Sequence, residues 1–501
     1  MMKTNTLSFN TQALRKKVLN LAMRGKLVPQ DLNDEPASVS LGRIKSERAA
    51  LVKERKLKRS KNLPKITGDK EPFSIPDSWK WTYLNDVANI TKLAGFEYTK
   101  YIRPNLTNKG IPLFKAKNIQ PGVIIEDFEN YIPEDISDSL IRSQLNKKCL
   151  LTPYVGSIGK VAIFSGKYKA HLGSNVGKIE MIKVENRGVS EEFIMYYLQS
   201  SYGFEQLTKH LKSTAQPSIS ITALRETIVP FPPLEEQKRI VAKISRLFDQ
   251  IDKIESASQQ YIELQSSLRS KVLDVAMHGK LVKQNPTDEP ASVLLDKIKS
   301  EKDELIKEKK IKKSKPLPEI TEDEKPFDIP ESWRWVRLGD IANYVQRGRS
   351  PKYDKNSATH PIISQKCVQW DSISLNYAKY ITEEFFSKLE EYRFVKENDI
   401  LWNSTGTGTV GRVNIVKTEF DHVPVDSHVT LLRFNDQIVS DYIYYYLSSP
   451  QIQDNLEDFL TGTTKQKELG LSNILKVMIP LPSLEEQKQI VAKIKRIFAS
   501  L

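Results

Sequence analysis

The sequence predicts an α+β chain in which two mixed α/β domains are separated by long antiparallel coiled-coil helices in a pseudo-twofold circular arrangement. Three observations lead to this prediction. Part of the chain repeats at a fixed offset, two divergent segments with strand-like patterns lie between the repeated parts, and one uninterrupted stretch has the apolar spacing of a long helix. The 501 residues are enough for several domains of ordinary size.

The internal repeat is the clearest feature of the sequence. Residues 14–90 align without a gap with residues 268–344, and about 46 of the 77 positions are identical. A second shared block, PFPPLEEQKRIVAKISRLF from Pro230, returns as PLPSLEEQKQIVAKIKRIF from Pro480. Such self-similarity indicates a duplicated scaffold.

Two divergent segments, 84–229 and 338–479, lie between the shared blocks. Each alternates short apolar runs with turn residues, which is typical of a mixed sheet, and each contains a stretch with helical spacing, at about 191–211 and 441–460. Two similar scaffolds that carry two dissimilar domains explain this order of blocks. Neutral drift after a duplication is the alternative, but it does not explain why the identity falls abruptly near Ile90.

Residues 234–280 are predicted to form one long helix. Apolar residues recur there at steps of three and four, as in the seam of a coiled coil, and no proline interrupts them. Gly279 is a typical residue for the C-terminal end of such a helix. Residues 484–501 repeat the first part of this helix and residues 10–25 repeat its last part, so we expect both chain ends to pack antiparallel on it. Packing of these ends on another subunit is the alternative.

Each repeat also contains a basic arm. The clusters KERKLKRSK from Lys53 and KEKKIKKSK from Lys307 each carry a net charge of about +5. Contact with a phosphate backbone explains such a cluster, and a solvated helix face or a subunit contact explains it equally well. The proline-containing segments that follow, LPKITGDKEPF and LPEITEDEKPF, predict extended connections.

These patterns divide the chain into seven parts. They are an N-terminal spacer helix (1–25), a basic arm and linker (26–76), a first domain (77–233), a central long spacer helix (234–280), a second basic arm and linker (281–330), a second domain (331–483) and a C-terminal spacer helix (484–501). The two domains are thus expected to stand between repeated helical parts.

The composition narrows the class of protein. A net charge of +14 favours a polyanionic partner such as nucleic acid, although solubility alone would also explain it. The two cysteines cannot form a disulfide framework, and no Cys/His spacing predicts a zinc site. Residues 1–10 lack the apolar core of a signal peptide, and no apolar run is long enough to span a membrane. We therefore expect a cytoplasmic protein without a metal site.

No enzyme signature in the sequence is complete. The glycines near Gly156 and Gly173 lack the spacing of a phosphate-binding P-loop. Gly406, Gly408 and Gly411 form a GxGxxG pattern, but RVNIVK follows and predicts a strand where a dinucleotide site needs a helix. We interpret these glycines as a strand-to-strand loop, with nucleotide binding as the alternative. The Pro-Pro tetrad of amino-methyltransferases is absent, and no catalytic residue is expected.

The shared blocks resemble those of a known family. LEEQKRIVAKI and LEEQKQIVAKI, which open long helices, and LRSKVLDVAMHGKLV, which closes the central one, are similar to the spacer of Type I restriction-modification specificity subunits. SWKWTYLNDVANI and SWRWVRLGDIANY resemble the start of their target-recognition domains. YYLQS, YYLSS and the loop from Thr461 to Thr464 also fit, and the resemblance covers nearly the whole chain.

The resemblance implies a DNA-recognition subunit that performs no chemistry itself. Each target-recognition domain would read one half of a bipartite target in double-stranded DNA, and the helical spacer would fix the gap between the halves. Two modification subunits would dock on the spacer and methylate an adenine in each half, and restriction subunits would join them to cleave. S-adenosylmethionine, ATP and Mg are expected in those partners and no cofactor in this chain. A coiled-coil scaffold that binds only protein is the alternative.

The candidate DNA-binding residues are polar and basic side chains of predicted loops, since such groups recognise base edges and phosphates. In the first domain they are Lys115, Lys117, Asn118, Tyr154, Ser157, Lys160, Ser174, Asn175, Lys212, Ser213, Thr214 and Gln216. In the second they are Arg347, Arg349, Lys352, Gln365, Lys366, Asn403, Ser404, Thr405, Thr407, Arg412, Thr463, Thr464, Lys465 and Gln466. Arg347 and Arg349 stand out because they place two forked donors in one turn. The candidates for partner binding on the spacer helices are Ile240, Ile244, Leu247, Ile251, Leu264 and Leu268.

Overall fold

The described residues form two compact units, 9–258 and 259–501, and the boundary between them lies inside one continuous helix, Leu234–Met277. The computed structural model describes residues 9–59, 63–185, 187–209, 211, 217–311, 313, 315–356, 358–462 and 467–501. Within these ranges, no helix is both long enough and apolar enough to cross a membrane.

The first unit combines short helices and strands with the first part of the long helix. Its other α-helices are Thr11–Met23, Ala37–Lys53, Leu84–Val87, Gly95–Glu97, Glu134–Ser139, Glu191–Gln199, Ser201–Thr208 and Ile221–Arg225. Its strands are Lys80–Tyr83, Ala88–Lys92, Ile111–Phe114, Ile119–Gln120, Val123–Ile124, Tyr131–Ile132, Gln144–Leu145, Cys149–Pro153, Ala162–Phe164, Ala170–Leu172, Val176–Met181, Lys183–Val184, Arg187–Gly188 and Ile228–Phe231.

The second unit contains the rest of the long helix. Its other α-helices are Ala291–Lys307, Leu338–Ile341, Glu383–Phe386, Ser440–Leu447, Pro450–Gln453, Leu456–Phe459, Leu471–Lys476 and Leu484–Ser500. Its strands are Arg334–Arg337, Tyr344–Arg347, Pro361–Ile362, Lys379–Tyr380, Ile400–Asn403, Val413–Ile415, Val429–Arg433, Leu460–Thr461, Glu468–Leu469 and Met478–Leu481. Both units therefore mix helix and strand, as the sequence predicts.

Each unit contains a four-stranded antiparallel sheet with the same strand order. In the first unit the order is Ala88–Lys92, Val176–Met181, Cys149–Pro153, Ala162–Phe164, and in the second it is Tyr344–Arg347, Val429–Arg433, Ile400–Asn403, Val413–Ile415. The strands Cys149–Pro153 and Ile400–Asn403 are buried along their whole length, so they read as short apolar runs without alternation. The divergent segments thus keep one sheet topology despite their different sequences.

The two units differ in what surrounds this sheet. The first unit adds a second, mixed sheet in the order Tyr131–Ile132, Ile111–Phe114, Ala170–Leu172, Gln144–Leu145. At the corresponding place the second unit has a two-stranded pair, Pro361–Ile362 with Lys379–Tyr380. The divergence of sequence is therefore accompanied by a divergence of structure outside the shared sheet.

The first and last strands of each domain pair with each other. Lys80–Tyr83 lies antiparallel to Ile228–Phe231 with Trp81 opposite Pro230, and the second domain repeats this pair with Trp335 opposite Pro480. A proline has no backbone N–H to donate to a neighbouring strand. It is tolerated in a two-stranded pair because the outer side of each strand has no neighbouring strand to bond. The chain therefore leaves and re-enters the helical scaffold at one place.

A buried polar cluster ties each domain to the first turn of a scaffold helix. Trp79 donates from Nε1 to Oε2 of Glu236 at 2.9 Å, and Gln30 donates from Nε2 to Oε1 of the same carboxylate at 2.5 Å. The second unit repeats the bond between Trp333 and Glu486, also at 2.9 Å. Burial raises the pKa of both glutamates, against the effect of these hydrogen bonds.

The N-terminal helix packs on the first part of the long helix. Met23 shares one core with Ile240 and Ile244, whereas Arg15, earlier in the N-terminal helix, forms an ion pair with Asp252, later in the long helix. Partners that come earlier in one helix come later in the other. The two helices are therefore antiparallel within the first unit.

The C-terminal helix packs on the last part of the long helix in the same sense. The guanidinium of Arg269 lies 4.7 Å from the ring centre of Phe498, and the hydroxyl of Tyr261 donates to the carbonyl of Leu501 at 3.4 Å. Earlier residues of the long helix again contact later residues of the other helix. This pair is antiparallel within the second unit.

Three helix predictions need correction. The long helix ends at Met277 rather than at residue 280, because Gly279 takes a left-handed conformation with φ of +67°. The predicted single helix at about 191–211 is wrong, since Ser200 ends the helix Glu191–Gln199 and begins a new one by accepting a hydrogen bond from Gly203. The predicted stretch 441–460 is likewise three short helices.

Candidate nucleic-acid interface

The loop between the strands Ile400–Asn403 and Val413–Ile415 is the centre of the candidate site in the second domain. Gly406, Gly408 and Gly411 all have positive φ, at +106°, +74° and +86°. A Cβ at Gly406 would lie 2.5 Å from Oε1 of Gln365, so the loop needs glycine there for space as well as for conformation. The interpretation of the GxGxxG pattern as a strand-to-strand loop is confirmed.

Three predicted DNA-contacting residues meet at this loop. The side-chain amide of Asn403 donates to the backbone carbonyl of Gln365 at 2.9 Å. The guanidinium of Arg412 donates to the carbonyl of Gly408 and to Oε1 of Gln369, both at 2.9 Å. The loop and its polar side chains are thus held in one hydrogen-bonded cluster.

Arg347 joins the same cluster from the edge strand. Its guanidinium pairs with Oε2 of Glu468 at 3.3 Å and donates to the carbonyl of Leu469 at 2.6 Å, while the backbone of Leu469 donates to the carbonyl of Ser404 at 2.7 Å. Glu468 is a site residue that sequence reasoning missed, because a lone carboxylate after a Thr/Lys-rich loop has no distinguishing pattern. Its carboxylate pairs with one nitrogen of the Arg347 guanidinium, the group that is expected to contact DNA.

Several polar atoms of this cluster are buried without a hydrogen-bond partner among the described residues. They are Nε of Arg347, Oε1 of Gln365, Oδ1 of Asn403, Oγ1 of Thr405 and Nε of Arg412. A buried group without a partner costs about 1–3 kcal/mol, so a concentration of them does not serve stability. These donors and acceptors belong to the side-chain types that read base edges.

The other candidates of the second domain lie around or away from this cluster. Ser404 is buried and shares a hydrogen bond with the hydroxyl of Thr430, whereas Lys366 and Thr407 are exposed. Arg349 and Lys352 instead approach acidic residues of the segment 384–390, with Arg349 donating to Glu390 at 2.8 Å and Lys352 lying 3.8 Å from Glu384. The backbone of Thr405 pairs with that of Glu468 in an isolated antiparallel β-bridge.

The first domain brings its candidates together at the same place in its sheet. The backbone of Tyr154 donates to the carbonyl of Asn175 at 3.0 Å, and that of Gly173 donates to the carbonyl of Phe114 at 2.9 Å. The segments 115–118, 154–160 and 174–175 are therefore adjacent. The half-buried Ser157, Lys160 and Ser174 lie on these segments.

Individual side chains of the first domain have different partners from those of the second. Lys115 and Lys117 both pair with Glu129, at 3.1 and 2.7 Å, and the hydrogen bond from Lys117 holds the pKa of Glu129 below its usual value. Asn118 is buried, and its amide donates to two loop carbonyls, so its side chain holds the loop. Lys92, which sequence reasoning missed, lies 4.8 Å from the ring centre of Tyr154.

The remaining loop candidates, Lys212, Ser213, Thr214, Gln216 and Thr463–Gln466, lie outside the described residues. The residues that follow them are described. Ser218 forms a bridge with Val155, as Glu468 does with Thr405. In both domains, the residues just after the candidate loop thus lie beside another loop. This other loop follows the strand Cys149–Pro153 in the first domain and the strand Ile400–Asn403 in the second.

The partner-binding candidates differ in exposure. Ile240 and Ile244 are fully buried in the core of the first unit, Ile251 is 7% exposed and Leu247 is half-buried. Leu264 and Leu268 are 68% and 46% exposed. Of the six, these last two present apolar surface to solvent in this chain.

Comparison with known proteins gives a consistent result. A family model described as Type I restriction modification DNA specificity domain matches residues 76–264 and 330–501. The chain is 31% identical to the Type I restriction enzyme EcoAI specificity subunit of Escherichia coli over 78% of this chain and 72% of that protein, and 29% identical to the EcoEI specificity subunit of Escherichia coli over 98% and 89%. A solved chain from work on complex assembly and conformational transition of the type I R-M system shares the fold, with a TM-score of 0.54 and 18% identity over 85% of this chain and 91% of that chain. This chain therefore belongs to the family of Type I restriction-modification DNA specificity subunits.

Proposed function

We propose that the chain reads a bipartite target in double-stranded DNA, one half with each domain, and so directs adenine methylation and cleavage by partner subunits. The observation that carries the proposal is that one sheet topology presents different chemistry at the same place. In the first domain this place holds Tyr154 and Asn175, and in the second it holds Asn403, Gln365 and Arg412. Two readers of unlike half-targets need this combination of a common scaffold and dissimilar loops.

The long helix and the two terminal helices are proposed as the spacer, in a pseudo-twofold circular arrangement. The antiparallel contacts within each unit support this arrangement, as does the repetition of the long helix in residues 10–25 and 484–501. The target-recognition domains would then be 77–233 and 331–483. A spacer of fixed length suits the reading of two half-targets because their separation along the duplex is itself fixed.

Two modification subunits and the restriction subunits are the proposed protein partners, and the chain itself would act in the cytoplasm without catalysis. S-adenosylmethionine, ATP and Mg would be bound by those partners and not by this chain. Leu264 and Leu268 are proposed as contacts with a partner because they leave apolar surface exposed on the long helix. A scaffold that binds only protein is the second candidate, favoured by this same exposed surface.

Methylation mapping of cellular DNA tests the proposal. Cells that express this chain with its modification subunit should carry N6-methyladenine in both halves of a new split motif that is absent without the chain. The duplicated flanks offer a matched variant in which 338–479 replaces 84–229, so that the same domain occupies both positions. This variant should give a motif with two identical halves.

Two results would count against the DNA-reading function. One is the absence of any new motif while the two proteins co-purify and the modification subunit binds its methyl donor. The other is an unchanged motif after the domain replacement, since the divergent segments would then not determine the target. Either result would favour the scaffold.

A further inference from the structure

The positive charge of the chain is concentrated in the two basic arms, here defined as residues 53–61 and 307–315. Each arm has six basic residues and one acidic residue, so the two together carry ten of the fourteen net charges. The rest of the chain, including both domains, is therefore close to neutral. The net attraction of the chain to a polyanion therefore comes mainly from the arms.

Both arms begin at the same kind of helix end. The helices Ala37–Lys53 and Ala291–Lys307 close with paired six-to-one and five-to-two backbone hydrogen bonds, and Arg55 and Lys309 take a left-handed conformation with φ of +59°. Glycine is the usual residue at this position, since a side chain there costs about 1 kcal/mol or more. Both copies nevertheless carry a cation at the position where glycine would be more stable.

The two copies keep the charge but not the residue. Arg55 corresponds to Lys309, and Arg59 corresponds to Lys313. A bidentate contact would require arginine at both positions, because the planar guanidinium and the compact ammonium have different geometries. Retention of charge alone fits contacts with phosphate groups, which attract either cation.

Stability of the arm itself does not account for so many cations. Cations interact favourably with the C-terminus of a helix, but this interaction falls off within one turn. It can therefore stabilise the cations from Lys53 to Lys56 but not Arg59. In the described part of the arms the ion pairs are Lys56 with Glu54 and Lys310 with Glu308, both on the surface, where such pairs contribute little. The described basic side chains are all exposed, whereas Leu57 packs on the core of its unit.

We propose that both arms bind the phosphate backbone of duplex DNA without reading its sequence. The proposal rests on the DNA-reading function, to which it adds a sequence-independent electrostatic contact on each unit. A nucleic acid fits better than an acidic protein surface because protein interfaces are depleted in lysine, and every basic residue of the second arm is lysine. Each contact would release counterions and so make binding strongly dependent on salt.

Fluorescence anisotropy with the full chain tests the proposal. The probes are a mixed-sequence duplex and a duplex that carries the target found by methylation mapping, each titrated at several salt concentrations. Glutamine replaces the described cations of the first arm (Lys53, Arg55, Lys56, Lys58 and Arg59), of the second arm (Lys307, Lys309, Lys310, Lys313 and Lys315) or of neither. A control variant makes the same change of charge on exposed cations of the long helix, namely Lys238, Lys243, Arg246, Lys253 and Lys271.

Each arm variant should bind both duplexes at least about tenfold more weakly at low salt, and the slope of log affinity against log salt should fall by about 0.9 for each cation that contacts a phosphate. The preference for the target over the mixed sequence should stay the same. All the replaced side chains are exposed, and thermal melting checks that the variants fold.

Equal slopes and affinities for the arm and control variants would overturn the proposal. Loss of co-purification with the modification subunit, with DNA binding unchanged, would also overturn it and assign the arms to a protein contact. A chain without target preference whose salt slope still depends on the arms would refute the DNA-reading function and leave the arm proposal standing.

Discussion

Replacement of Trp333 by phenylalanine should destabilise the second unit by about 2 kcal/mol, because it removes a hydrogen bond from a buried carboxylate. Trp333 is 1% exposed, and its Nε1 donates to Oε2 of Glu486 at 2.9 Å. Gln284 donates to the other carboxylate oxygen, and Glu486 is 4% exposed, so water cannot easily replace the lost donor. Phenylalanine keeps much of the apolar contact with Tyr442.

Trp335→Phe is the matched control. The Nε1 of Trp335 is also buried, but it has no hydrogen-bond partner among the described residues. The same change of side chain there removes the same atoms without breaking a hydrogen bond, so it reports the loss of packing together with the relief of a buried donor that has no partner. Trp79 and Trp81 offer an equivalent pair in the first unit.

The effect of Trp333→Phe should also grow with pH. Burial raises the pKa of Glu486 above its ordinary value of 4.5, and the hydrogen bonds from Trp333 and Gln284 oppose this rise. The pKa of Glu486 is higher in the folded state than in the unfolded state. The stability of the unit therefore falls as the pH rises from the unfolded-state pKa to the folded-state pKa. Loss of one donor raises the folded pKa further and extends this fall. The variant should therefore be closest to the parent at a pH below 4.5.

Urea unfolding followed by far-ultraviolet circular dichroism measures both effects. With a slope of about 3 kcal/mol per M, a loss of about 2 kcal/mol lowers the midpoint by roughly 0.7 M. The reasoning is refuted if Trp333→Phe lowers the midpoint at neutral pH no more than Trp335→Phe does. It is also refuted if the deficit is the same at acidic and neutral pH, because the carboxylate would then not be involved.

Three further predictions have defined outcomes. Gly279→Ala should cost about 2 kcal/mol in thermal melting, because φ is +67° and the new Cβ would lie 2.4 Å from a proline ring, whereas Gly42→Ala, on an open helix face, should stabilise by up to about 1 kcal/mol. Arg347→Ala should relax the sequence requirement in one half of the methylated motif by about 1–3 kcal/mol and leave the other half unchanged. Asp399→Asn breaks a buried pair with Arg433, at 2.6 Å, and should cost about 3–5 kcal/mol in urea unfolding, and a loss below 1 kcal/mol would contradict the pairing.

The apolar spacing of the sequence predicts the scaffold helices well, because a helix depends on residues that lie within a few turns of one another. The long helix and the end of the chain follow the steps of three and four, and Gly279 marks the stop. The break at Ser200 is different, since apolar spacing continues across it. There Ser200 caps the second helix, and Gly203 lies against the carbonyl of Tyr197, where a Cβ would be 1.9 Å away. Apolar spacing carries no signature of such a close approach.

Prediction of the site depends on contacts between distant residues. Gln365, Asn403 and Arg412 could be proposed from their types and from the loops around them, and they do meet in the structure. The sequence does not predict which of these side chains already have a partner. Glu468, for example, lies 121 positions from Arg347, which it contacts. The burial of Asn118 likewise depends on a loop that returns beside it.

The pairing of the first and last strands of each domain has a consequence for inheritance. Lys80 and Phe231 are direct partners in the ladder, as are Arg334 and Leu481, so the length and content of what lies between them do not alter the spacing of the flanking helices. A gene segment exchanged between these points replaces a whole domain and leaves the helices in register. The flanks of the two domains are identical at about 46 of 77 aligned positions, so each domain joins its helices through equivalent residues and an exchanged domain would meet a matching junction. Exchange of such a segment should thus give a new domain in one step and leave both helical junctions unchanged.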